Sequence, residues 1–425
     1  KMSRTRIVKG KITEIVGGDL TYFSESSISE YAAEVYSENS KTVIKHSGNP
    51  GSPPPPPTIA KCAVFFRPTK NWIGEFGFDW VRVNDSKLEV DNSYNGIIGK
   101  YGVIYGSKPN AKFTVDSNKY KSILGEYSFF GVYKGRYFVP NMTLTVGQTA
   151  TLNAIVHIEE APDKLHYAYN TDVFDITILK KFTKAKGVNF DENSVSIKCK
   201  KAFSSPETIR VIATKNKLMQ KVGEIKVLPN NTPVEKKVLI IPVEYRKKSG
   251  NIKFTNEITY VNNILRQSLI QAKLSTYKSV FKTGSWFSDW FFTTKDKNGN
   301  KFIDMSSFRS LHRYLDDDFM SIKENKIYDS YYRVYCMPDS LGLNGVAEDV
   351  GQGVKTVIVF QNRDNFTTMV HELLHSMGVY HTFDNDSKYT FEFRKTDNVM
   401  DYTHQIGKKR FTTNIWQWRI LNKNI

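Results

Sequence analysis

The stretch Met369-Val-His-Glu-Leu-Leu-His-Ser-Met-Gly-Val-Tyr-His381 leaves the least freedom to the chain that carries it. His371 and His375 stand four residues apart, so on a helix they share one face, one turn apart, and can grip a single ion. Glu372 sits beside the first of them and can reach the same space without being a ligand. Gly378 falls three residues after His375, where a helix can stop and the chain can turn through positive φ. Such a turn lets His381 come back as a third imidazole. Three neutral histidines leave a fourth coordination position open, which is the arrangement of a catalytic and not a structural zinc. A random match to the five fixed positions is on the order of 10⁻⁵ for a chain of this composition, so ordinary helix-surface histidines are a poor explanation.

A length of 425 residues is too much for one compact core and implies about three domains. The sharpest boundary is Gly48 to Pro57, where five consecutive prolines favour an extended spacer of about 15 Å, at about 3.1 Å per residue. Residues 1–58 therefore read as an N-terminal arm and proline-rich linker. From 59 to 140 the pattern is β-rich, with short runs such as Cys62–Phe66, Phe78–Val83 and Gly102–Tyr105. Trp72, Phe76, Phe78 and Trp80 in this module are read as core, with a ligand platform as the lesser use. Residues 141–232 carry alternating runs at Met142–Val146, Ala150–Val156, Val173–Ile178, Ile209–Ala213 and Val222–Leu228. That spacing suggests an immunoglobulin-like β-sandwich. From 233 to 425 the character becomes mixed α/β. A buried strand at Val238–Tyr245 is followed by a helical stripe of Ile258, Val261, Leu265, Leu269 and Ala272, with Thr255 as N-cap.

The net charge of +17 raises the question of nucleic acid, but Lys and Arg are scattered. The densest clusters, Arg246-Lys247-Lys248 and Lys408-Lys409-Arg410, are read as solvated surface, and nucleic acid is not expected as a partner. Cys62, Cys199 and Cys336 are an odd count set far apart, so no disulfide framework is expected. No apolar stretch of roughly 18 residues occurs, so no membrane span is expected. The basic opening Met2–Lys11 is not followed by an apolar segment, so no secretory signal is expected either. Asp296 to Asp304 places oxygen side chains at alternate positions, which fits a Ca²⁺ loop or equally a turn at Asn298-Gly299 between strands.

The pattern His-Glu-x-x-His-x-x-Gly-x-x-His at 371–381 resembles the zinc signature of the metzincin metallopeptidases. Asn398-Val-Met-Asp-Tyr402 resembles the downstream Met-turn of that family, with Met400 as the residue that floors the metal site. The resemblance implies a metzincin-type catalytic domain over 233–425 and Zn²⁺ held by His371, His375 and His381. It also implies Glu372 as general base, and Tyr402 as a labile ligand and oxyanion donor. Phe411-Thr412, with Gln417 and Arg419 on a C-terminal helix, is most similar to the pappalysin branch. The segment Val354 to Gln361 stands where metzincins have the edge strand that pairs with an extended substrate. His404, close to the Met-turn, is not counted as a ligand.

The expected function is a zinc-dependent endopeptidase acting on polypeptide. The front end resembles, loosely, effectors of Bacteroidota contractile (type VI-like) secretion systems. That resemblance implies a toxin injected or loaded without a classical signal peptide, with a secretion apparatus and an immunity protein as partners. A cytoplasmic location is the alternative. Two other functions stay open: a carrier or adhesion protein with a structural zinc site, and a peptidase of peptidoglycan cross-bridges.

Overall fold

The computed structural model describes Glu38 and residues 61–102, 112–133, 135–245, 248–250, 254–282, 293–295, 301–303, 308–338, 344–348, 350, 353–360 and 367–425. Apart from Glu38 the arm and proline run, with Gly102–Tyr105 beyond its first residue, Arg246 and Lys247, and the calcium-or-turn residues Asp296–Asn300 and Asp304, lie outside the described residues. Residues 59–425 form one compact unit. It is β-rich, with several sheets and few helices, and no described helix is long and apolar enough to cross a membrane.

Two sheets share one apolar interior. The first runs in the order Cys62–Pro68, Thr149–Ile158, Gly187–Cys199, Phe174–Ile178. The second runs in the order Gly77–Asp79, Asn141–Thr143, Leu218–Val227, Glu207–Lys215, Lys164–Ala168. Register explains the packing, because a period of two sends alternate residues to one face. Val64 opposes Val156 and Phe66 opposes Ala154, and all four are fully buried. From the second sheet Ile209, Val211, Val222 and Ile225 join the same cluster. The break expected between a module ending at 140 and a sandwich starting at 141 does not divide these sheets. Cys62–Pro68 pairs along its whole length with Thr149–Ile158, and Gly77–Asp79 pairs with Asn141–Thr143. The strand expected to reach Val83 stops at Asp79, since the Asp79 and Arg82 side chains turn inward to partners near the C-terminus. Trp72, Phe76, Phe78 and Trp80 are all about 1% exposed and pack as core.

A third, mainly parallel sheet follows. Val234–Tyr245 pairs in parallel with Ile270–Thr276 on one side and Tyr332–Met337 on the other, and Tyr332–Met337 pairs in parallel with Thr356–Phe360. Its inner strands, over 238–241, 333–337 and 356–360, are buried on both faces, as parallel strands covered by helices must be. Val238, Ile240, Val334, Cys336, Val357 and Val359 point to one face, against Val261, Ile264 and Leu265 of the helix Phe254–Gln267. Leu239, Ile241, Tyr335 and Ile358 point to the other, against Leu311, Leu315 and Phe319 of the helix Phe308–Ser321. The apolar stripe expected to run on through Leu269 and Ala272 is cut short. The helix ends at Gln267, Leu269 takes a left-handed turn at φ +55°, and Ala272 lies in the next strand.

The last strand of the sheet, Gly345–Ala347, is antiparallel to Val357–Val359. Thr356–Phe360 is therefore paired on both sides, and the position at the sheet's margin, expected for Val354 to Gln361, belongs to Gly345–Ala347 among the described strands.

Candidate metal centre

The helix Thr368–Ser376 is buried along all nine residues. Met369, Val370, Leu373 and Leu374 pack into the apolar cluster of the third sheet, which leaves His371, Glu372 and His375 on the remaining face. The helix stops at Met377, and Gly378 takes φ +98°, a conformation costly for any side chain with a Cβ. Gly378 N–H then donates to His375 O at 2.9 Å and Val379 N–H to Leu374 O at 2.9 Å, which closes the helix end. The reversed chain brings His381 back over the helix.

His381 Nε2 lies 3.2 Å from His371 Nε2 and 3.0 Å from His375 Nε2, and the three ligand atoms all fall within 4.8 Å of one another. An ion with bonds of about 2.0–2.1 Å to tetrahedral nitrogens needs them about 3.3 Å apart, so the three rings fit a common metal with little movement. On His371 and His375 the other ring nitrogen is already spent. His371 Nδ1 donates to Val399 O at 2.8 Å and His375 Nδ1 to Val379 O at 2.8 Å, which turns both Nε2 lone pairs toward the shared point. Burial holds His375 down to about 4 and His371 and His381 well below the ordinary imidazole range, so all three stay neutral and able to ligate. This three-histidine group could hold a metal ion.

Tyr402 Oη lies 3.1 Å from His381 Nε2, within reach of the same point. Phe383 stacks on His381 with ring centroids 4.7 Å apart, and its edge meets Tyr402. Met400 is fully buried, and its carbonyl accepts from Thr382 N–H at 3.1 Å, which ties the turn to the residue after His381. His404 stands beside Tyr402, with ring centroids 5.6 Å apart, and is not one of the three clustered histidines.

Glu372 is 8% exposed and faces the marginal strand. The register that points Val346 toward Ile358 turns the amide of Ala347 outward, where it hydrogen-bonds the Glu372 carboxylate. Burial pushes that carboxyl up to about 8, against the opposing pull of Arg410 and the Ala347 amide. The close approach requires glycine at 345, because a Cβ there would sit 2.9 Å from Glu372 Cγ and 2.8 Å from Thr368 Cγ2.

Arg410, read from the sequence as part of a solvated basic cluster, is 3% exposed and belongs to the site. Its Nε donates to Thr367 Oγ1 at 2.7 Å, and its Nη1 to Asp401 O at 2.8 Å and Val399 O at 3.0 Å. It thus pins the start of the metal helix to the turn around Met400, and shares the Val399 carbonyl with His371. Burial changes within the cluster: Lys409 is exposed, and Arg410 begins the buried run through Trp418. Gln417, expected on a C-terminal helix, lies in Ile415–Leu421 and is fully buried. Its Oε1 accepts from Asn398 Nδ2 at 2.7 Å and from Asn414 N–H at 2.9 Å, so it too braces the turn.

No family model and no curated protein matches the chain. Among solved structures, a chain described as "Structure of a chaperone-substrate complex" is similar at 11% identity, over 56% of this chain and 38% of that one, with a TM-score of 0.26.

Proposed function

We propose that this chain is a zinc-dependent endopeptidase of the metzincin type, its two-sheet body immunoglobulin-like and its third sheet with the metal helix forming the catalytic domain. The observation that carries the reading is the convergence of the His371, His375 and His381 Nε2 atoms on one point, with Glu372 on the same helix and Tyr402 Oη at hand.

Zinc held there would supply Lewis acidity toward a water and a peptide carbonyl. Glu372 takes a proton from that water and delivers it to the leaving amine. Burial strengthens the hold of its carboxyl on that proton until the amine leaves. Tyr402 donates its hydroxyl hydrogen to the oxyanion that develops on the carbonyl oxygen. Gly345–Ala347, antiparallel and at the margin of the described sheet, favours a polypeptide substrate, since an extended chain can add to such an edge through backbone pairing.

The test pairs metal content by mass spectrometry with cleavage of a denatured protein pool, for wild type and Glu372→Ala. Wild type is expected to hold about one zinc and to cut. The variant is expected to hold zinc and to lose roughly 10³-fold or more in rate. A wild type that takes up no zinc sinks the proposal. One that binds zinc and cuts nothing leaves a structural or carrier role in its place.

A further inference from the structure

The strap 397–415 carries the Met400 turn and the carbonyl that orients His371, and both of its ends are held by residues of the first hundred. At its start, Arg82 Nη2 donates to both oxygens of Asp397, at 3.0 and 3.1 Å, across 315 residues of sequence. The pair is buried on both sides, and the Arg82 guanidinium lies 3.6 Å over the Trp80 ring, with Asp91 3.6 Å from its Nη1. At the other end, Asp79 accepts from Ile415 N–H at 2.8 Å, from Asn414 Nδ2 at 3.1 Å and from the Tyr127 hydroxyl at 2.9 Å. Asn414 Nδ2 also donates to Tyr94 Oη at 3.0 Å.

The strap then transmits these anchors to the site through short bonds. Asp397 O accepts from Phe411 N–H at 2.8 Å and Thr412 N–H at 3.1 Å, while Thr412 Oγ1 donates to the Asp397 carboxylate at 2.9 Å. Val399 N–H donates to Thr412 O at 2.9 Å, and Val399 O is the acceptor for His371 Nδ1. From Asp397 to the carbonyl that sets a ligand's tautomer is two residues. One guanidinium nitrogen spans both oxygens of that aspartate while Nη1 of the same planar group reaches Val90 O at 3.4 Å, so the carboxylate is held from a fixed side.

We propose that Arg82 and Asp79 are positioning residues of the metal centre, holding the strap so that Val399 O and the Met400 turn meet His371 and His381 in ligating geometry. The β-rich segment ahead of residue 100 is then a built-in part of the site and not a detachable carrier. This rests on the zinc reading above.

Linkage makes the claim testable in the unmutated protein, because a segment that stabilises metal binding must be stabilised by it in return. Amide hydrogen exchange is compared with and without added zinc. Exchange is expected to slow in 367–412 and also in 79–94. Slowing confined to 367–412 overturns the positioning role while leaving the zinc reading intact. Slowing nowhere removes the zinc reading and the positioning role with it. In parallel, zinc affinity is measured by competition with a chromophoric chelator. Arg82→Met is expected to weaken binding about tenfold, and Arg82→Lys, which keeps the charge without the planar group over Trp80 and its second nitrogen on Val90 O, about threefold. A folded Arg82→Met that binds zinc as tightly as wild type overturns the proposal. Should Arg82→Met not fold, Arg82→Lys and the exchange comparison decide it.

Discussion

In the two-sheet body, Val64, Phe66, Leu152, Val156, Ile209 and Ile225 meet in the interior with no polar partner to satisfy. In the strap, the stretches 397–401 and 410–415 are as fully buried, yet beside Val399, Met400, Phe411 and Ile415 they bury Asp397, Asn398, Asp401, Arg410, Thr412, Thr413 and Asn414. The first region is held by non-directional contact, which asks only for shape and volume. The second is held by donors and acceptors that must each find one partner at one angle. Gln267 shows the contrast in a single side chain. It is fully buried, its Nε2 donates to Gly74 O and Phe411 O, and its Oε1 accepts from Thr413 N–H and Oγ1. A region built this way places atoms closely, and a three-histidine group that could hold a metal ion needs close placement.

Substitutions of similar volume in the two regions are the way to break this contrast. The largest effect is expected from Arg82→Met, which leaves Asp397 buried without its cation and should cost about 3–5 kcal/mol in urea unfolding. Adding Asp397→Leu should restore most of that loss, and a single variant costing under about 1 kcal/mol would show that the strap does not depend on the pair. Gln267→Met strands three backbone groups and one hydroxyl, and about 3 kcal/mol is expected from equilibrium unfolding.

A pH series sharpens the same point at Asp79. Burial, only partly offset by its hydrogen bonds, raises this carboxyl from 3.8 to about 6. The folded state therefore holds the proton more tightly than the unfolded chain. The favourable contribution is present below about 4, falls away between about 4 and 6, and is gone above. Asp79→Asn removes that dependence, so its stability relative to wild type should climb over this interval by up to roughly 3 kcal/mol and stay level beyond it. A flat difference from pH 4 to 7 would contradict the assignment.

The smallest effects should come from the other side of the contrast and from the surface. Ile225→Leu, fully buried in the sheets, should cost less than about 1.5 kcal/mol. Lys408→Ala removes an exposed pair with Glu89 that joins the same two distant segments, and should change stability by no more than about 0.5 kcal/mol. A larger loss there would mean that exposed contacts share the work of the buried ones.

The legible parts were those with a local signature. His371 and His375 announce themselves because four residues is one helical turn, and Gly378 because its turn needs positive φ. Cys62–Phe66, Ala150–Val156 and Ile209–Ala213 show as strands through alternation. Gly187–Cys199 does not, since its polar run at Asp191–Ser194 accompanies a register shift that breaks the period. The margin of the third sheet was misread because Thr356–Phe360 is a continuous apolar run, the mark of an interior strand, while Gly345–Ala347 is too short to signal anything. Arg410, Gln267, Arg82 and Asp79 were out of reach for another reason. Each acts through partners far away in sequence or through backbone groups, and neither leaves a spacing to read.

The separation of 335 residues between Asp79 and Asn414 sets an order of events during synthesis. Closing so long a loop is entropically costly and comes late, after the nearer pairings have formed. On the ribosome, the strands up to Val227 can assemble while the chain beyond them is still being made. The helix with His371 and His375 then emerges before the residues near 415 that hold its floor in place. The growing chain thus passes through a stage in which its scaffold is finished and its three-histidine cluster is not. On the zinc reading proposed above, competence to bind the ion is delayed until the two distant segments have met.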